Sequence, residues 1–187
     1  MAKRILRFLK VNPERLLLEW VSAAEGARFA QVVTDLTEKI RQLGPLGTDT
    51  EEGIDALGFK LRAAMSAVSG EKLRWVASKQ TEFVTDGNKY GEVFTSHEVN
   101  RLLDGVILEE MTVQQILLLL GQEPLSVQEL SKKLDISPPD VMRHMLALLR
   151  KELIILCEVR GRSPLYTVAE KNDRRLGEKD ICQEVDQ

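Results

Sequence analysis

Apolar residues along this chain change their spacing several times, and each change marks an element. The run ERLLLEWVS (14–22) is nearly continuous in Leu, Val and Trp, the pattern of a strand covered on both faces. After it, Phe29, Val32, Val33, Leu36, Ile40 and Leu43 recur at helical spacing and predict an amphipathic helix. Ser22 is placed to cap that helix, with Glu25 in its first turn, and GPLG (44–47) ends it. A strand followed by a helix is the order of the last unit of an open α/β sheet. Farther on, Ile54, Leu57, Leu61, Ala64, Met65 and Val68 make a helical stripe expected to be core. DGNKYG (86–91) reads as a turn, and Thr95 with Glu98 opens a short helix to Leu103.

The C-terminal half repeats one device three times. Thr112 with Gln115, Ser126 with Glu129, and Ser137 with Asp140 each pair a hydroxyl with an acidic or amide side chain three residues later. They predict helices opening at TVQQILLLLGQE, SVQELSKKLDI and SPPDVMRHMLALLRKEL. Pro138 stands at a first helical position, where its missing N–H costs nothing. Val127, Leu130 and Leu134, then Val141, Met145, Leu148 and Leu149, are the expected buried faces. A tight turn near Asp135 to Ser137 joins the last two helices as a helix-turn-helix. LIILCEV, the turn RGRSP and LYTVA then give a β-hairpin, which completes a winged helix. VMRHMLALLRKELI resembles the third helix of winged-helix regulators of bacteria and archaea. The fold class expected is therefore α+β: a partial strand–helix (α/β) unit with a helical extension over 1–105, a winged helix-turn-helix over 106–170, and a flexible tail over 171–187.

Composition narrows the chemistry. With 187 residues and 43% hydrophobic content the chain can bury one ordinary core or two small ones. No apolar run approaches the about 18 residues of a membrane helix, and MAKRILRFLK lacks the clean apolar stretch of a secretory signal, so a cytoplasmic location is expected. Cys157 and Cys182 form no CxxC pair and are too few for a four-thiolate iron–sulfur site, and with His97 and His144 as the two histidines a zinc site has little to draw on. His144 beside an apolar face and Cys157 within an apolar strand are expected to be packed, and so are Trp75 and Tyr90, whereas His97 is expected to be solvated. No paired carboxylates, Ser/His/Asp set or phosphate-binding loop emerges, so the chain is not expected to be catalytic alone.

Net charge is −3, so any contact with DNA must rest on one local face. Pro139, Met142 and Arg143 near the start of the last helix would approach base edges. Arg160 and Arg162, astride Gly161, would reach phosphates, and Lys132 and Lys133 would add backbone contacts. Against this, residues 109–170 hold seven Lys/Arg and nine Asp/Glu, with Asp140 where a phosphate would come. DNA binding and protein docking both stay open for this domain.

NPERLLLEWVSAAEGARFAQVVTDLTEKIRQLGPLG (12–47) resembles the C-terminal part of the delta (iron–sulfur) subunit of methyl-viologen-reducing hydrogenase, and a looser likeness extends over about residues 5–105. Similar domains are fused or adjacent to heterodisulfide reductase components. The resemblance implies a relay between a nickel–iron hydrogenase and a flavin-containing reductase, using an iron–sulfur cluster held by cysteines upstream of the matched region. No cysteine precedes Cys157, so none of those ligands is carried over and no cofactor is expected in this chain. The resemblance thus implies an accessory, cluster-less subunit whose role is protein docking. Leu16, Leu17, Leu18 and Trp20 would meet another copy of the chain, as a dimer, or a separately encoded redox subunit. The alternative is a winged-helix transcription regulator whose N-terminal region dimerises or senses.

Overall fold

The computed structural model describes residues 1–47, 53–87 and 90–169, and the chain divides into two units, Met1–Met111 and Thr112–Gln187. Asn88 and Lys89 of the expected turn, Cys182 and the expected tail lie outside the described residues. No described helix is long and apolar enough to cross a membrane.

The first unit contains α1 (Ala2–Phe8), α2 (Gly26–Leu43), α3 (Gly53–Ser69), α4 (Glu71–Thr85) and the leading part of α5 (Ser96–Leu120). Ile5 and Leu9 from the α1 region, Val11, Leu57, Ala64 and Ala67 of α3, Leu73 of α4, and Ile107 and Met111 of α5 form its core. Arg4 ties α1 to α5, donating to the Asn100 carbonyl at 3.1 Å and to Asp104 Oδ1 at 2.6 Å. The buried stripe of α3 is rotated from the expected one. Leu57 and Ala64 are buried and Leu61 is half-buried, but Ile54, Met65 and Val68 are exposed while Ala63 and Ala67 turn inward. Small side chains at a helix contact shorten the distance between axes, which favours alanines at that face. Trp75 is largely exposed, touching Phe83 edge-on at 6.3 Å between centroids, and Tyr90 is exposed instead of packed.

The two helices expected at Thr95 and Thr112 are one. The Thr95–Glu98 capping box forms, with Thr95 N donating to Glu98 Oε2 at 2.9 Å and Glu98 N to Thr95 Oγ1 at 3.3 Å. Donation from the Thr95 amide and from its hydroxyl, the latter at 2.8 Å, holds the Glu98 carboxyl below the usual glutamate range. Past Leu103 the helix continues, because Val99, Leu103, Ile107 and Met111 keep one buried face in phase. Gly105 costs about 1 kcal/mol against alanine, too little to break a helix of that packing. Thr112 is buried inside α5 and caps nothing.

Residues 14–22 do not form a strand: Pro13–Arg15 is a 3₁₀ turn, and residues 16–22 pair with no described segment. A ladder needs an open edge for its backbone groups, and the first unit offers none among the described residues. Ser22 sits ahead of the helix it was expected to cap. Its amide donates to Glu25 Oε2 at 2.9 Å, and α2 begins at Gly26.

In the second unit the end of α5 is followed by α6 (Val127–Leu134), α7 (Pro138–Arg150), β1 (Ile154–Arg160) and β2 (Ser163–Val168). Ile116, Leu120, Leu125, Leu130, Val141, Met145, Leu148, Ile154 and Tyr166 make its core. Val127, Leu134 and Leu149, expected inside, are half-buried at its margin. Ser126 caps α6 reciprocally with Glu129, whose carboxyl is held below its usual range by the Ser126 amide and hydroxyl. Asp135 ends α6 in the left-handed conformation at φ 54°, and Ser137 begins α7 by accepting from the Asp140 amide at 3.4 Å. β1 and β2 pair antiparallel from Ile154↔Val168 to Arg160↔Ser163, closed by Gly161 at φ 66° and Arg162. Leu125 bridges Tyr166 on the other side of β2. This is a winged helix-turn-helix. Cys157, expected buried, is half-buried because β1 bulges between Leu156 and Glu158 and leaves it out of register.

Candidate functional site

On the second unit, capping fixes where the expected contact residues stand. The Ser137 cap and Pro138 set the start of α7, so Val141, His144, Met145 and Leu148 turn inward. Pro139, Met142, Arg143 and Leu146 are left outward. Pro139 and Met142 line a cavity of about 370 Å³ together with Arg162 at the tip of the hairpin and Ser126 and Val127 at the start of α6. The structure therefore brings three of the seven candidate residues together. The other candidates are exposed but spread over three elements, and three of them carry an acidic partner. Arg143 lies 3.1 Å from Asp140, Arg160 lies 2.9 Å from Glu158, and Lys133 lies 2.6 Å from Glu123. Lys132 is exposed on α6.

Exposed apolar side chains on α7 and β1 were missed by sequence reasoning. Leu146, Ile155, Leu156 and Val159 are all exposed, whereas the sequence reading assigned LIILCEV only to a hairpin strand with Cys157 packed. The signal was present in the element count: a hairpin with one covered side cannot bury both faces of β1.

The first unit holds a second candidate surface. Arg15 donates to the carbonyls of Leu43, Gly44 and Pro45 at 2.9, 2.8 and 3.2 Å, closing the C-terminal end of α2. Lys39 is 3.2 Å from Glu14, and Arg28 is 3.7 Å from Glu19. These contacts lay residues 14–19 antiparallel along α2. From Arg28 to Lys39 the helix rises about 16 Å, and from Glu14 to Glu19 an extended chain covers about the same length. The geometry is that of a strand and its following helix without the sheet. Leu16 and Leu17 are partly exposed, Leu18 and Trp20 almost fully so, and α2 has no buried residue.

Neither surface offers a metal centre. Residues 1–44 contain no cysteine, Cys157 lies on β1, and no group of three or more His, Cys, Asp or Glu among the described residues could hold a metal ion. A thiolate-held iron–sulfur cluster does not fit these residues.

Comparison with known proteins finds two partial matches, one to each unit. The model of the methyl-viologen-reducing hydrogenase delta subunit matches residues 1–44, and that of the arsR family of bacterial regulatory proteins matches residues 111–155. A ferredoxin:CoB-CoM heterodisulfide reductase subunit from Methanosarcina mazei is 33% identical over 58 residues, 31% of this chain and 7% of that protein. An F420-non-reducing hydrogenase iron-sulfur subunit from Archaeoglobus profundus is 48% identical over 42 residues, 22% of this chain and 31% of that protein. A ferredoxin/F(420)H(2)-dependent CoB-CoM heterodisulfide reductase subunit from Methanosarcina acetivorans is 30% identical over 50 residues, 27% of this chain and 6% of that protein. The chain thus spans less than a third of each relative's length. No solved structure matches it. The N-terminal region is hydrogenase-delta-like, and the C-terminal region is a helix-turn-helix domain similar to the arsR type.

Proposed function

We propose that this chain is an accessory docking subunit of a hydrogenase or heterodisulfide-reductase type of electron-transfer assembly. It acts by binding and carries no cluster in its delta-like region. One observation carries the reading: residues 14–43 form an apolar strand-length segment and an amphipathic helix that bury none of their large side chains. Apolar area left in water forgoes about 25 cal/mol per Å², and an exposed patch of this kind marks an association surface. The likeness of residues 1–44 to a hydrogenase delta subunit supports a redox enzyme as the partner's class. Electron transfer through this chain is not part of the proposal, since the delta-like region lacks thiolates.

The winged helix fits the same role. Arg143, Arg160 and Lys133 are neutralised by carboxylates, and Leu146, Ile155 and Val159 are exposed beside them, a surface better matched to protein than to phosphate. Purification of the full-length chain from its native cells at low salt tests the proposal. A flavin- or iron–sulfur-containing protein is expected at near-equal stoichiometry, and its absence at every salt concentration contradicts the reading.

A second reading, a DNA-binding regulator with an N-terminal dimerisation or sensing region, draws on a different observation. Arg162 shares a cavity with Pro139 and Met142, which puts a wing arginine beside the start of the recognition-type helix.

A further inference from the structure

The docking surface of the first unit has two faces, and they differ. In an extended chain successive side chains point to opposite sides. Glu19 reaches Arg28 of α2, so Leu17, Glu19 and Val21 share the side turned to the helix. Leu18 and Trp20 take the other side and are 80% and 86% exposed. Across the helix, Val32, Leu36, Ile40 and Leu43 are half-buried while Phe29 and Val33 remain exposed. Among the described residues no backbone hydrogen bond is made by residues 17–21. The segment is therefore only partly covered on one face by its own helix, bare on the other, and open along both edges.

We infer that residues 16–22 add as a strand to the open edge of a sheet in a separate α/β protein, which also covers Leu18 and Trp20 with a layer of its own. The inference rests on the docking reading and specifies its mode. A strand followed by a helix packed back along it is the βα half of a crossover unit, so a parallel sheet is the matching surface. A second copy of this chain satisfies less of the requirement. It would bring the same strand and helix, giving a two-stranded ribbon that is marginal in water, with Leu18 and Trp20 of both copies still bare. In the Archaeoglobus relative the matched 42 residues are 31% of the protein, so there the matched part is joined to further chain of more than twice its length. Main-chain pairing would supply affinity, and the Leu18–Trp20 face would supply selectivity.

Hydrogen exchange of the full-length chain tests this, alone and co-expressed with the Archaeoglobus relative shortened by its 42 matched residues. Alone, the amides of 17–21 should exchange freely. In the complex the alternate amides that face the partner strand should slow by about a hundredfold, and of Leu17→Pro and Leu18→Pro the one that removes a facing donor should prevent recovery of the complex. Protection of 17–21 in the pure chain would give the site to a second copy and overturn the inference. A complex in which 17–21 still exchange freely would overturn strand addition while leaving docking intact. Failure to recover any complex would overturn the inference too, whereas the docking reading is decided by the native purification.

Discussion

Arg143 and Arg160 are exposed cations at the positions a DNA reading needs, yet each meets a carboxylate on its own element. A phosphate arriving there would have to displace Asp140 or Glu158. The docking account therefore expects Arg143→Ala and Arg160→Ala to change affinity for duplex DNA by less than about threefold, within binding of the weak non-specific kind. Fluorescence anisotropy with a palindromic duplex across a salt series checks this. Tight, salt-sensitive binding abolished by either change would establish the regulator reading instead. The same scale shows what local pattern can reveal. The Ser126–Glu129 and Thr95–Glu98 boxes were legible because both partners lie three residues apart and need nothing from the rest of the fold. Thr112 with Gln115 offers the same pattern and forms no cap, because it lies inside a helix already in progress.

Among the elements, α5 departs most from expectation. Its buried face stays in phase across Gly105, where a pattern reader sees a break. Gly105 is exposed, helical, and has nothing within 4 Å of an added Cβ. Gly105→Ala should therefore raise stability by about 1 kcal/mol, read as a higher midpoint in helical circular dichroism. No gain would mean that the helix is interrupted there. The helix-turn-helix and its hairpin were legible in order, since the caps at Ser126 and Ser137, the turn between them and the hairpin each have local signatures. The strand expected at 14–22 does not form: apolar continuity records a need for burial and says nothing of where the neighbours come from. The inward face of α3 was misread for a related reason: its partners chose alanines over larger residues, and partners are not written in the helix itself.

For the chain as a whole, two units bear two different kinds of surface. One is an extended segment and helix similar to part of a hydrogenase delta subunit, and the other is a winged helix in which Lys133, Arg143 and Arg160 each meet an acid of the same unit. Legibility differs between them. The winged helix carries its core in its own sequence, whereas in the delta-like region Ile5, Leu9 and Val11 join the first unit's core and α2 buries no residue, a face that the proposal assigns to a partner. Thermal unfolding of the isolated full-length chain with Leu18→Glu and Trp20→Glu combined tests that assignment most directly. If these side chains serve a partner, stability should stay within about 0.5 kcal/mol of the unaltered chain, as for exposed positions generally. A loss of about 2 kcal/mol or more, the cost of spoiling a core, would place both residues inside this protein's own fold and contradict the account.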